Sequence, residues 1–370
     1  MDKSKLAIFF RNGSKPVPRV TRMMKVAEDH GYKAIYCGAF RGDDSESEGK
    51  WEGYDFYRVG KKYPLLNGKG ILTYLKFTFT YCRAIYKFFK LKKPDLLIAS
   101  DFEVIIPALI YAKTRKVRLI YNIHDNLAHR YNIPPILASV LNLLEGLGVI
   151  LSDSALVPEV FRKELLPFWC RKKIHIVKNT PGNIKYSEPR FPDDKIVLFY
   201  GGWLSFTRGL REMIDIAKNN DKIKLVIAGT GTDEVISYVK SHSFVDYLGY
   251  ITHEKLLELT ADAHFIPSFY DPSIMINKYA ASNKLSESLA VGRPLLVNSE
   301  MMILNSFRGS DCFIESKYID VADFGPKLIE LVSNKEHYRE MCKESRTVFE
   351  KQYSWKEAKE VMEDLINNKV

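Results

Sequence analysis

Residues 277–299 read NKYAASNKLSESLAVGRPLLVNS, and they spell out one helix followed by one strand. Ser282 or Asn283 can cap a helix that carries Lys284 in its first turn and Glu287 beyond it, and Gly292-Arg293-Pro294 ends that helix. The apolar run that follows is of strand length and shows no alternation, as in a parallel strand covered on both faces. A lysine in a first turn opposes the helix dipole. It makes sense where an anion sits at that terminus, and otherwise it reads as a solvated side chain.

The same alternation extends outward on both sides. Strand-like runs KIVLFYGG (195–202), KLVIAGTG (224–231), VDYLGYI (245–251), AHFIPSF (263–269) and CFIES (312–316) accompany RPLLVNS (293–299), with helices expected at 208–219 and 232–242. The first half repeats the pattern: LAIFF (6–10), a helix around 20–30, AIYCGAF (34–40), DLLIAS (95–100), RLIYNIH (118–124), SALVPEV (154–160) and KIHIVKN (173–179). Between the halves lies TPGNIKYSEPRFPDD (180–194), rich in Pro, Gly and charge, which reads as a linker. The expected fold class is α/β, with two Rossmann-like domains facing a cleft. The first spans 1–184 and the second 195–354, and the amphipathic tail helix (355–370) is expected to pack back on the first.

Composition narrows the class. The chain has 370 residues, 46% hydrophobic and 27% charged, which excludes disorder, collagen-like repeats and a disulfide-stapled miniature. Net charge is +10, from 55 Lys+Arg against 45 Asp+Glu. Residues 1–190 hold 33 of the cations and 18 of the acids, leaving 22 and 27 for the remainder, so a basic half precedes a mildly acidic one. The five cysteines are scattered and make no CxxC pair, which suits a reducing cytoplasm. The apolar start, LAIFF, is too short for a signal peptide. The longest apolar stretch, PILASVLNLLEGLGVIL (135–151), carries Asn142 and Glu145 and falls short of the roughly 20 residues a span needs; it reads as a buried helix. There is no GxGxxG, Walker loop, HExxH, GxSxG or DxD, so neither a dinucleotide cofactor nor a metal is expected.

Three further clusters of the second half share a pattern of glycines at strand ends. Tyr200-Gly201-Gly202-Trp203 precedes Arg208-Gly209, where backbone N–H groups and a guanidinium could meet an anion. Ala228-Gly229-Thr230-Gly231 offers room beside the sheet or is simply a tight turn. Gly249-Tyr250-Ile251 offers a ring on which a planar base could stack, or a surface aromatic.

In this order and spacing the pieces resemble the second domain of retaining GT-B-fold glycosyltransferases of the family 4 type. The matching residues are Gly201 with Arg208-Gly209, Ala228–Gly231, Tyr247–Ile251, Ala261-Asp262 with Pro267-Ser268, then Asn283-Lys284, Glu287, Ala290, Gly292 and Pro294. The match covers most of 195–300. Two departures stand out: Tyr279 lies eight residues before Glu287, where many members have a second glutamate, and Gly202 stands where many have arginine. In the first half, YNIHDN (121–126) resembles the segment whose histidine, here His124, points toward the donor sugar, although a core histidine is the alternative. Asn179 resembles the end of the first domain, and Asn12-Gly13 with Arg19 corresponds to the acceptor side.

The resemblance implies transfer of a sugar, with retention, from a UDP- or GDP-linked donor. Arg208 and Lys284 would stabilise the leaving diphosphate without a metal, aided by the helix ends at Ser282 and Gly209. Glu287 would hold the ribose hydroxyls. Gly201, Gly202, Gly229, Gly231, Tyr250, Ile251, Ser282 and Asn283 would line the donor site. The acceptor would be lipid-linked or a saccharide, in cell-surface polysaccharide synthesis.

Residues 71–93 hold six Lys/Arg, seven Phe/Tyr and no acid. At about 100° per residue, Leu75, Phe79, Cys82, Tyr86 and Phe89 form one stripe, expected to face the core, and Lys76, Arg83, Lys87 and Lys90 form the next. Beyond them Phe77, Tyr81 and Phe88 form a second apolar stripe. Such a helix could lie on an anionic membrane at the inner face of the cell, or be a core helix with a solvated basic edge. Two other function classes remain open here: a basic nucleic-acid-binding protein, for which no RNA- or DNA-binding motif is present, and a sugar-nucleotide epimerase on the same fold.

Overall fold

The computed structural model describes residues 5–41, 44–62, 71–130 and 133–369. It divides into two compact units, Met1–Lys178 with Lys356–Val370, and Asn179–Trp355.

The first unit contains β1 (Lys5–Phe10), α1 (Pro18–Asp29), β2 (Tyr32–Ala39), β3 (Glu48–Trp51), β4 (Tyr54–Val59), α2 (Ile71–Lys92), β5 (Leu96–Ser100), α3 (Ile105–Arg115), β6 (Arg118–Asn122), α4 (Leu127–Arg130), α5 (Pro135–Leu151), β7 (Ser154–Val157), α6 (Val160–Glu164) and β8 (Ile174–Ile176). Its sheet runs in the order β3-β4-β2-β1-β5-β6-β7-β8, parallel except for the β3–β4 pair. The central strands are largely apolar because helices cover both faces; β5 is buried along its whole length.

The β3–β4 hairpin lies outside the strands expected from sequence. Its two-residue turn holds Glu52 and Gly53 at positive φ, with Trp51 paired to Tyr54, the backbone that a tight hairpin demands.

The second unit contains β9 (Ile196–Trp203), α7 (Leu210–Lys218), β10 (Ile223–Thr230), α8 (Asp233–Lys240), β11 (Val245–Tyr247), α9 (His253–Asp262), β12 (Ile266–Ser268), α10 (Met275–Lys278), α11 (Asn283–Val291), β13 (Leu295–Asn298), β14 (Phe313–Ser316), α12 (Phe324–Ser333) and α13 (Lys335–Gln352). Two parallel three-stranded sheets, β11-β10-β9 and β12-β13-β14, meet at a parallel bridge between Leu198 and Phe265. The segment after residue 179 is bound into this unit. Buried Arg293 donates to the carbonyls of Ser187 and Glu188, and Phe191 packs edge-on against Tyr338. The last helix, α14 (Trp355–Asn367), rests on the first unit, where Arg118 donates to the carbonyls of Ile366 and Leu365.

Two expectations are corrected here. In α2 the core takes Phe77, Tyr81, Ile85, Phe88 and Phe89, while Phe79 is 70% exposed and Cys82 and Tyr86 are half-buried. Phe89, from the stripe expected to face the core, is buried together with Phe77, Tyr81 and Phe88 of the stripe expected to be surplus, because α2 packs onto β4 and α3. The side chain of Leu75 lies outside the described residues. Lys76, Arg83, Lys87 and Lys90 are exposed, as a basic edge requires.

The second correction concerns α5. Its core-facing side is polar and small: Asn142 meets Asn126, Glu145 accepts from the Tyr121 hydroxyl and the Leu127 N–H, and Gly146 and Gly148 admit Trp169, Ile105 and Tyr121. Ile136, Leu137, Val140, Leu143, Leu144, Leu147, Ile150 and Leu151 are instead between 38% and 83% exposed. Apart from buried Val149, the helix is apolar outward and polar or small inward, so it is not the buried helix its composition suggests.

Candidate functional site

Parallel sheets place ligand-binding groups at the carboxyl ends of their strands, and each unit gathers its reactive side chains there. In the second unit the ends of β9, β10 and β12 and the start of α11 come together. Ser282, not Asn283, caps α11: its Oγ accepts from the Lys284 N–H at 3.2 Å, and Asn283 is the first helical residue. Lys284 is therefore fixed in the first turn. It is 8% exposed, so the solvated reading is excluded, and its Nζ lies 4.1 Å from the centre of the Tyr200 ring and 5.6 Å from that of Tyr270. Arg208, at the end of a short turn capped by Ser205, lies 5.8 Å from the same Tyr270 ring. The two cations named from sequence thus converge on one aromatic side chain. Among the described residues no carboxylate lies within ion-pair distance of Lys284 Nζ. A buried ammonium held only by ring faces is costly unless an anion joins it.

Glu287, one turn along α11, is also buried, and its Oε1 lies 2.9 Å from His253 Nε2 at the start of α9. Glu287, Lys284 and Gly201 line one small cavity with Phe199, Leu256, Thr260 and Ile266. His253 was not singled out in the sequence. The signal for it was its place beside Thr252, whose side chain caps α9.

The glycines divide by what surrounds them. Gly229 has φ +138°, and a Cβ there would lie 1.8 Å from the Gly202 carbonyl oxygen; a Cβ on Gly231 would lie 2.8 Å from that of Leu204. At both positions it is the protein's own backbone that requires glycine. A Cβ on Gly201 would press on Leu256, whereas Gly202, at φ +132°, faces open space. Tyr250 is 72% exposed and Ile251 packs in a small cluster with Leu256.

In the first unit the ends of β1, β5 and β6 hold a buried charge cluster. Asp101 follows β5 at φ 73°, a strained conformation for a residue with a side chain. Its carboxylate accepts from Arg11 Nε at 2.8 Å and from the His124 backbone N–H at 3.0 Å. Burial alone would raise the Asp101 carboxyl, but Arg11, His124 and Arg130 hold it well below the usual carboxylate range. His124 Nδ1 lies 3.5 Å from Asp101 and its Nε2 lies 3.1 Å from Asn122 Nδ2. Burial lowers the imidazole pKa by more than Asp101 raises it, so His124 is neutral at physiological pH. The pair fits a tautomer with the proton on Nδ1.

Arg19 is buried in the first turn of α1, and burial lowers its pKa to about 9. Arg162 donates to Asp125 and to the His124 carbonyl, and Arg130 to Glu103. Asn12 and Gly13 are tied down through their carbonyls, which accept from Arg41 and Tyr36. Asp101, Arg11, Arg130 and Arg162 were missed in the sequence. Asp101 was legible only as a polar residue following the buried strand β5. Asn179, in the second unit, donates to the Ala281 carbonyl just before α11.

No family model matches the chain. It is 25% identical over 231 residues to the glycogen synthase of Mycobacterium tuberculosis (strain ATCC 25618 / H37Rv), a match covering 56% of this chain and 52% of the relative. The chain thus spans about half the length of the curated relatives it matches. Among solved structures it is similar to sucrose-phosphate synthase from Thermosynechococcus elongatus, with TM-score 0.80, 11% identity and 98% of each chain covered. It is also similar to HepE of Anabaena in complex with UDP-glucose, with TM-score 0.70, 10% identity and coverage of 98% and 99%. These likenesses show the fold, which is GT-B.

Proposed function

We propose that this chain is a glycosyltransferase that takes its sugar from a UDP- or GDP-linked donor. The observation that carries the reading is the pair of cations, Arg208 and buried Lys284, brought to one tyrosine ring at the strand ends of the second unit. It is supported by the fold shared with a protein bound to UDP-glucose and by the similarity to a glycogen synthase.

In this account the second unit binds the donor and the first the acceptor. The bond between the anomeric carbon and the diphosphate oxygen breaks, leaving negative charge on the diphosphate. Lys284, Arg208 and the α11 N-terminus stabilise that charge in place of a metal. Glu287, oriented by His253, accepts from the ribose hydroxyls. His124, neutral and held between Asp101 and Asn122, would contact the donor sugar. An acceptor hydroxyl oxygen bonds to the anomeric carbon in place of the diphosphate and passes its proton to the departing diphosphate. Transfer proceeds with retention, to a saccharide or lipid-linked acceptor, in surface-glycan synthesis at the cytoplasmic face of the membrane.

The test is to incubate the protein with UDP-glucose, UDP-galactose or GDP-mannose, with and without added oligosaccharides or glycolipid extract. Acceptor-dependent release of nucleoside diphosphate, with the product anomer matching the donor by NMR, is expected. Interconversion of the sugar without acceptor would make it an epimerase. Turnover of none of the donors, together with salt-dependent binding to RNA or DNA, would replace the reading altogether.

A further inference from the structure

The inverted helix α5 is unexplained by folding and by catalysis. At about 100° per residue its eight exposed aliphatic side chains fall within one arc of about 140°, with Ile136, Val140, Leu147 and Leu151 nearest its centre. The stripe continues onto its neighbours: α3, packed beside α5, exposes Ile106 and Ile110, and the turn over Gly146 carries Trp169 and the 80% exposed Phe168. Monomeric soluble proteins rarely leave so continuous an apolar area uncovered. No helix among the described residues is long and apolar enough to cross a membrane. At 17 residues, α5 extends its outward apolar face over about 25 Å.

Charge decides what covers it. On the other side of α3 runs α2, with Lys76, Arg83, Lys87 and Lys90 exposed, and α3 itself ends in exposed Lys113 and Arg115. Across α2, α3 and α5 the one carboxylate is Glu145, which is buried. A second copy seated symmetrically on this face would bring those cations against their own kind. An anionic bilayer would meet both features at once, taking the aliphatic stripe below the headgroups and the cations among them.

We infer that α5, with Ile106, Ile110, Phe168 and Trp169, is the membrane-inserting surface of this protein, and that the basic edge of α2 holds the headgroups beside it. The inference rests on the membrane part of the proposed function and transfers the apolar contact from α2 to α5.

The test is co-sedimentation with vesicles of equal phosphatidylglycerol and phosphatidylcholine, using the wild type, Leu143→Ser/Leu147→Ser, and Lys76→Gln/Arg83→Gln/Lys87→Gln/Lys90→Gln. Circular dichroism melts confirm that the variants fold. The α5 variant is expected to lose at least tenfold in vesicle affinity, and the α2 variant several-fold, with weak binding to pure phosphatidylcholine. Unchanged binding by the α5 variant overturns the inference. So does a wild type that ignores vesicles and forms a dimer that the α5 variant dissociates. Thermal shifts with UDP-glucose on the same samples report separately on the donor site, which none of these substitutions touches.

Discussion

Lys284 is where folding and function pull in opposite directions. A cation at a helix N-terminus, buried against Tyr200 and with no carboxylate partner among the described residues, costs the protein stability. Lys284→Met, of similar volume, is therefore expected to raise the melting temperature of the ligand-free protein while abolishing the shift produced by donor. It should also lower kcat/KM by about 10²–10³-fold, the scale for removing one preorganised charge-stabilising donor. A lysine that merely supported the fold would give a lower melting temperature in the same experiment. Glu145 is a second buried ionisable group on a helix. Burial raises its carboxyl to about 8, so the folded state holds a proton that the unfolded chain releases near the ordinary carboxylate value. Its contribution is fully present below about 4.5 and is lost as pH rises through about 8. Wild-type stability should fall across that window, and Glu145→Gln should flatten the fall; equal slopes in melting temperature against pH would contradict the assignment.

At the scale of elements, caps and turns were readable because they depend on local chemistry. Ser282 caps α11 as its residue type demands, and Ser282→Ala should cost about 1 kcal/mol in denaturant unfolding. Gly209 begins α7 at φ +69°, and a Cβ there would lie 2.3 Å from that of Phe269. Gly209→Ala should accordingly destabilise by about 1–3 kcal/mol, more than an exposed glycine such as Gly53 would. Helix faces were not readable to the same degree. In α2 aromatic residues flank the basic stripe on both sides, so periodicity could not choose between them, and contact with β4 and α3 settled it. In α5 the inward face is set by tertiary partners of Asn142 and Glu145 that lie in β6 and the loop after it. The β3–β4 strands were missed because they are short and rich in charge, although Glu52-Gly53 marked their turn.

Across the whole molecule, the repeated alternation of strand and helix made the α/β class legible, and the order of motifs in 195–300 made the GT-B likeness legible. The donor-side cations could be singled out as candidates because they sit in local motifs. The Asp101 cluster was not, since it is assembled from Arg11, His124 and Arg130 on separate segments, brought together only by the order β1-β5-β6 in the sheet. The excess of positive charge in the first half now divides into two uses: arginines buried around Asp101, and lysines exposed on α2 beside the aliphatic face of α5. The central claim, that Lys284 and Arg208 form a nucleoside-diphosphate-sugar site, is tested most directly by calorimetric titration of UDP-glucose and GDP-mannose into the wild type, Lys284→Met and Arg208→Gln. The account predicts saturable binding of at least one donor by the wild type and a loss of tenfold or more in each variant. Binding of equal strength in all three, or binding of neither donor by the wild type, would contradict it.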